Sequence, residues 1–227
     1  MSLRGQASSA PARRLAQTLG INTRHFVRSM QHKTPQTVCW VPIWSRDGLG
    51  LEHVLLAGNA ADSSLLAFDE DGEPFRLTYR LRWDDNGLLQ RADLEASKGT
   101  HVRALSLRAD GHGRWNSAQG AHFPHLDGCI DIDIWPTPLT NSLPIWRSHL
   151  KIGQRQEFRM AWVSAPDLKV VAKPQAYTRL EDRLYLFESL DGTGFKARLP
   201  VDEDGLVTDY PEFFRRVSPP TRESSAG

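Results

Sequence analysis

The sequence predicts an all-β protein: a single rolled, predominantly antiparallel sheet with a short C-terminal helix. Three observations predict this fold. Apolar and polar residues alternate with a period of two along much of the chain, Asn-Gly and Asp-Gly dipeptides recur between the alternating segments, and the apolar face that results has to be buried. A sheet with one apolar face buries it by closing or rolling up.

The clearest alternation runs from Pro74 to Trp83. Its apolar members are Phe75, Leu77, Tyr79, Leu81 and Trp83, separated by Arg76, Thr78, Arg80 and Arg82. In a strand these two sets lie on opposite faces, whereas a helix would spread both sets around its circumference. Further strands are expected at Val38–Ile43, Leu51–Ala57, Ser64–Phe68, Arg103–Leu107, Cys129–Trp135, Glu157–Val163, Lys169–Ala172, Leu184–Glu188 and Phe195–Val201.

The turn dipeptides favour hairpins, and hairpins join antiparallel strands. They are Asp47-Gly48, Asp71-Gly72, Asn86-Gly87, Asp110-Gly111, Asp127-Gly128, Asp191-Gly192 and Asp204-Gly205. A short helix is expected near Tyr210–Arg216, with Pro211 in its first turn.

The chain divides into three segments by composition. Residues 1–35 are basic and contain no acidic residue, which predicts a disordered extension; a transit peptide is the other interpretation of this composition. Residues 36–217 form one domain, because no linker interrupts them, and residues 218–227 form a disordered Pro- and Ser-containing tail. No apolar stretch follows Arg13 and Arg14 as a signal peptide requires, so a cytoplasmic location is expected.

Bulk charge and motifs exclude several functions. The net charge of +1 gives no electrostatic reason to expect nucleic acid as a partner, and no apolar run reaches the ~20 residues of a membrane span. The two cysteines, Cys39 and Cys129, are far apart, and the histidines lack a metal-binding spacing, so no metal or other cofactor is expected. Neither a GxSxG elbow nor a phosphate-binding glycine loop is present.

Two carboxylates alternate with isoleucines ahead of a tryptophan. Asp131 and Asp133 share one strand face, and this strand is similar to the acidic strand of chitinase-type glycosidases. The position where those enzymes carry their catalytic glutamate holds Trp135, so hydrogen bonding to a sugar is the favoured role of the aspartates. Trp135 lies on the same face and offers a ring for sugar or alkyl groups.

A cationic strand face is the strongest candidate for anion binding. Arg80 and Arg82 lie on it together with Arg76. The alternative is an outward face on which arginines pair across strands with Asp93 and Glu95.

Several stretches resemble a family of bacterial proteins, the putative glycolipid-binding family. The central block HLDGCIDIDIWPTP, His125–Pro138, carries most of the resemblance; the other stretches are Gly50–Val54, Phe75–Trp83, Thr140–Ile145, Tyr177–Leu180 and Leu206–Pro211. The resemblance implies a spiral β-roll that holds acyl chains in a cavity. It assigns no catalytic residue.

The function predicted on this basis is binding of a glycolipid or another amphiphile in an apolar cavity, with its headgroup at the rim. The residues expected at this site are Asp131, Asp133, Trp135, Asn141, Arg80 and Arg82. An enzyme acting on a sugar or lipid through Asp131 and Asp133, and a protein-interaction module, are the alternatives. The oligomeric state stays open.

Overall fold

The computed structural model describes residues 32–217 and is mostly β-strand. The strands are β1 (His32–Pro42), β2 (Leu51–Gly58), β3 (Ala60–Phe68), β4 (Pro74–Trp83), β5 (Leu89–Lys98), β6 (His101–Ala109), β7 (Trp115–Ser117), β8 (Asp131–Trp135), β9 (Arg155–Ser164), β10 (Lys169–Glu181), β11 (Leu184–Ser189), β12 (Lys196–Pro200), β13 (Asp209–Tyr210) and β14 (Phe214–Arg216). Among these residues one α-helix occurs, α1 (Ser142–Ser148), with 3-10 turns at Arg46–Gly48, Pro124–Leu126 and Leu139–Asn141. The predicted all-β class is confirmed. The residues before 32 and after 217, including most of the predicted extension and the predicted tail, lie outside the described residues.

The strands form two curled sheets rather than the single sheet expected from the sequence. The nine-stranded sheet has the order β13-β14-β1-β2-β3-β4-β5-β6-β7, and the five-stranded sheet has the order β12-β11-β10-β9-β8. Between β12 and β13 the chain turns tightly around Asp202, whose carboxylate accepts hydrogen bonds from the amides of Asp204 and Leu206. A bridge between Val201 and Val207 connects the sheets there, together with bonds from the amide and the hydroxyl of Thr208 to the carbonyl of Pro200.

The opposite ends of the two sheets also meet, so the whole assembly is rolled. Near β7, the indole of Trp115 donates to the carbonyl of Cys129 over 2.7 Å, and the amide of Ile130 donates to the carbonyl of Arg159 over 3.3 Å. Inward side chains of both sheets form one continuous hydrophobic core. The alternation predicted for Pro74–Trp83 is observed residue by residue, because β4 buries its apolar members and exposes its arginines.

The segment Tyr210–Arg216 forms a hairpin, not the predicted helix. The amide of Phe213 donates to the carbonyl of Tyr210 over 2.9 Å, and Glu212 has φ of 69°. These are features of a type II turn, in which proline is common at the second position. Proline is also common in the first turn of a helix, so Pro211 suits both structures. Pairing of β14 with β1 then completes the sheet edge. The short helix lies instead in the crossover between β8 and β9, which are parallel.

A buried carboxylate links the nine-stranded sheet to the segment that follows β8. Glu52 on β2 is fully buried and accepts hydrogen bonds from the hydroxyls of Tyr79 (2.7 Å), Thr137 (2.9 Å) and Ser63 (3.0 Å). Burial raises the pKa of Glu52 to about 7, although the three hydroxyl donors oppose that rise. The cost of burying a charge is therefore greatest at alkaline pH.

We expect Glu52→Gln to remove a pH-dependent destabilisation of the fold. The unfolded chain ionises at this position near pH 4.5 and the folded chain near pH 7, so stability falls as pH rises through this window and is constant above it. Over this pH window the wild type loses about 3 kcal/mol of unfolding free energy. Urea denaturation between pH 4 and 8 measures it as the difference between wild type and variant.

The matched control is Glu70→Gln, because Glu70 is exposed and its carboxylate stays in water in both states. Parallel stability curves for wild type and Glu52→Gln across this pH range would contradict the assignment.

Candidate functional site

Strand β8 places Asp131 and Asp133 on the same face, in different environments. Asp131 is 1% exposed and accepts a hydrogen bond of 2.5 Å from the guanidinium of Arg147 on α1. Burial raises the pKa of Asp131, and the contact with Arg147 opposes this rise. Asp131 is therefore occupied by an internal ion pair that attaches α1 to β8.

Asp133 is held by neutral donors and faces a cavity. Its carboxylate accepts a hydrogen bond from the Thr140 hydroxyl over 3.2 Å and a second one from the side-chain amide of Gln175 on β10. Burial raises the pKa of Asp133, and the hydrogen bonds from Gln175 and Thr140 oppose this rise. Among residues 32–217 no guanidinium pairs with it, so this carboxylate keeps acceptor capacity for another donor.

The cavity beside Asp133 has a volume of about 210 Å³ and is called the aromatic pocket below. It is lined by Asp133, Ile134, Trp135, Thr137, Asn141, Trp162, Lys173, Gln175, Phe187, Ser189, Asp191, Thr193, Phe195, Tyr210 and Phe213. Strands of the five-stranded sheet form one part of its wall, and the hairpin of β13 and β14 forms another.

Aromatic rings make up the apolar wall of this pocket. Phe213 packs edge-to-face against Trp135 at a centroid distance of 5.1 Å and against Tyr210 at 5.2 Å, and Phe195 contacts Phe213 at 5.5 Å. Edge-to-face contacts fix the orientation of each ring. The wall is therefore a preformed surface for the C–H face of a ring or for an alkyl group.

The polar wall combines an amide, a cation and a second carboxylate. The side-chain amide nitrogen of Gln175 donates a hydrogen bond to Asp133, and its oxygen Oε1 is buried without a hydrogen-bond partner among the described residues. The ammonium of Lys173 lies 3.7 Å from the ring centroid of Trp162 and 3.3 Å from the carboxylate of Asp191. Hydrogen bonds from Ser189, Thr193 and Lys173 hold the pKa of Asp191 well below its usual range.

The structure brings together some of the residues predicted from sequence and separates others. Asp133, Trp135 and Asn141 line the aromatic pocket, and Asn141 also donates to the hydroxyl of Tyr177 over 2.9 Å. Arg80 and Arg82 are exposed on the outer face of β4, where Arg80 pairs with Asp62 at 2.7 Å. The cross-strand pairing expected on this face occurs between Arg76 and Glu95 at 3.2 Å.

Several lining residues were not predicted from the sequence. Lys173, Gln175, Asp191 and Phe213 reach the pocket from β10, from the turn after β11 and from the last hairpin. Nothing in their local sequence sets them apart, because they converge only through strand pairing.

Among residues 32–217, no group of three or more His, Cys, Asp or Glu side chains is placed to hold a metal ion. Within the same range, every helix is too short or too polar to cross a bilayer.

Comparisons with known proteins agree on one family. A family model described as "Putative glycolipid-binding" matches residues 37–216. The chain is also similar to the crystal structure of a DUF1089 family protein from Pseudomonas aeruginosa, with 48% sequence identity and a TM-score of 0.72. That similarity covers 74% of this chain and 92% of the other. No curated protein matches the chain.

We expect Arg147→Met to destabilise the protein by about 3–5 kcal/mol at neutral pH. The substitution leaves Asp131 buried without its cation, and an uncompensated buried charge is costly. Because a protonated carboxyl carries no charge, the deficit shrinks as pH is lowered through the pKa of Asp131. Chemical denaturation at several pH values measures this change.

Arg155→Met is the matched control, since Arg155 is 40% exposed and pairs with Glu157, which is 63% exposed, as well as with Glu188. This variant should lose no more than about 1 kcal/mol of stability, the usual contribution of surface ion pairs. An equal loss of unfolding free energy in the two variants would show that the burial of Asp131 does not determine what the ion pair contributes to stability.

Proposed function

The chain belongs to the family of putative glycolipid-binding proteins, and on that premise we propose that it binds the carbohydrate headgroup of a glycolipid in the aromatic pocket. The observation that carries the proposal is the composition of this pocket. Aromatic rings stand beside a carboxylate and an unpaired amide oxygen. Sugar rings present C–H faces that pack on aromatic rings, and hydroxyls that donate to carboxylate and amide oxygens.

Gln175 and Asp133 are the proposed acceptors of sugar hydroxyls. A buried oxygen without a donor, such as Gln175 Oε1, costs free energy that a ligand hydroxyl recovers on binding. Asp133 offers a stronger, charge-assisted acceptor when it is ionised. Its neighbour Asp131 has an indirect role in the proposal, because its pair with Arg147 fixes the strand that carries Asp133 and Trp135.

The size of the pocket supports a headgroup site more than an enclosure for acyl chains. About 210 Å³ is below the roughly 300–1,000 Å³ of pockets that enclose drug-sized ligands. Large side chains such as Trp40, Trp115, Tyr79 and Tyr177 are fully buried in the core between the sheets. In this proposal the chains of the lipid leave the pocket instead of lying inside the roll.

The role predicted for Arg80 and Arg82 stays a prediction. Because both face outward on β4, any contact they make with an anionic group belongs to a second surface. The double substitution Arg80→Ala and Arg82→Ala should therefore leave binding in the aromatic pocket unchanged.

We expect Asp133→Asn to lower the affinity for the bound glycoside about tenfold or more. A hydrogen bond to a charged acceptor contributes about 1.5–3 kcal/mol, and the amide loses that charge. Isothermal titration calorimetry of the full chain with methyl glycosides of glucose, galactose, mannose and N-acetylglucosamine measures the change, with thermal unfolding recorded for each variant.

Asp62→Asn is the matched control, because it makes the same charge change at a carboxylate that is 51% exposed on the outer face. Native mass spectrometry after organic extraction identifies any lipid bound during expression. The proposal fails if no glycoside binds and the extracts contain no glycolipid.

A glycosidase is a second candidate, favoured by the two carboxylates of the pocket. Asp133, with its raised pKa, has the property of a proton donor, and Asp191, with its lowered pKa, stays ionised. Asp191 takes the place of Asp131 in the pair expected from sequence, because Arg147 occupies Asp131. In this reaction Asp133 gives its proton to the leaving oxygen as the glycosidic C–O bond breaks, and water adds to the sugar carbon and gives up a proton to the Asp191 carboxylate.

Release of 4-nitrophenol from aryl glycosides tests this second candidate. Turnover by the wild type that falls at least 100-fold in Asp133→Asn would support it, because general acid catalysis contributes about 10²–10⁴-fold. Binding without turnover would leave the protein as a carrier or receptor.

A further inference from the structure

A second cavity borders the aromatic pocket, and Trp135 lines both. This cavity, called the Trp135 groove below, has a volume of about 290 Å³. It is lined by Trp44, Asp69, Glu70, Asp71, Phe75, Lys98, Trp135, Ala165, Pro166 and Asp167.

The position of Trp135 makes the two cavities neighbours. Its ring lies 5.3 Å from the ring of Trp44, which lines the groove, and 5.1 Å from that of Phe213, which lines the pocket. A ligand that crosses the Trp135 ring can therefore contact both cavities at once.

The groove and the pocket differ in chemistry. Phe75, Trp44, Ala165 and Pro166 give the groove apolar surface, and its charged residues are four carboxylates with one lysine. Lys98 already pairs with Asp69 and lies 3.9 Å from Asp71. The acidic rim disfavours an anionic group, and the apolar surface of Trp44, Phe75 and Pro166 suits an aliphatic segment.

Trp44 adds a polar feature to this surface. Its indole Nε1–H is buried without an acceptor among the described residues. An ether or ester oxygen at the start of a lipid chain is an acceptor of the kind this donor lacks.

Size also favours joint use of the two cavities by one ligand. The aromatic pocket alone is smaller than the roughly 300–1,000 Å³ of small-molecule sites, whereas the two together fall within that range.

We propose that the Trp135 groove binds the first carbons of an uncharged alkyl chain attached to the sugar in the aromatic pocket. This inference rests on the proposed function. The chemical class of the ligand is then a neutral glycoside with an aliphatic aglycone, and anionic amphiphiles of the same length are excluded.

Titration of the full chain with methyl, propyl, butyl and hexyl glycosides of glucose, galactose and mannose tests the proposal. Each methylene that enters the groove is expected to raise affinity by up to about fourfold, and the gain should level off once the chain leaves the groove. Hexanoate, an anion with a chain of similar length, should not displace the hexyl glycoside.

Ala165→Phe fills the groove at a position that does not line the aromatic pocket. It should abolish the gain with chain length and leave the affinity for the methyl glycoside unchanged within about twofold. Ala104→Phe, the same substitution at an exposed position of β6, should keep the full gain.

The outcomes separate this inference from the proposed function. Equal affinity for methyl and hexyl glycosides, or a chain-length gain that survives Ala165→Phe, would overturn the groove assignment and leave the headgroup site in place. Absence of binding by every glycoside, together with extracts that contain no glycolipid, would overturn both.

Discussion

The hydrogen bonds that converge on Glu52 join β2, β3 and β4 to the segment after β8, and the aromatic pocket depends on that connection. The hydroxyl of Thr137 donates to Glu52, and Thr137 also lines the pocket. A hydrophobic contact at this place would hold the two sheets together without fixing their register, because apolar packing is not directional. Three hydroxyl donors aimed at one carboxylate specify a single arrangement, at the cost of burying an ionisable group.

Local pattern was sufficient to predict most strands but not the strands with weak or ambiguous signals. Strand β4 has strict alternation and strong β-formers, so its bounds agree with the sequence pattern. Strand β5 was not predicted, because Ala92 and Ala96 supply half of its buried positions and alanine has little strand preference. The segment around Pro211 was assigned to a helix because the same residue suits two structures, and tertiary pairing of β14 with β1 decides between them.

The candidate site was predictable only where its residues share a strand or follow it closely. Asp133 and Trp135 lie two positions apart on β8, so period two places them on one face, and Asn141 follows in the next turn. Gln175 reaches Asp133 from another strand, and Phe213 reaches Trp135 from the last hairpin. Such convergence depends on sheet order and register, which a single sequence does not encode locally. The arginines of β4 illustrate the converse, since alternation separates them from the interior but does not say what their face contacts.

The pairing of β1 with β14 has a consequence for how the protein is made. The first described strand gains its second neighbour only from residues 214–216, near the other end of the described residues. On the ribosome, β1 and β2 emerge early and leave one edge of β1 unpaired until nearly all of residues 32–217 have been synthesised. Tyr210 and Phe213 belong to the same late hairpin, so the aromatic pocket and the sheet edge are completed in the same late step of synthesis.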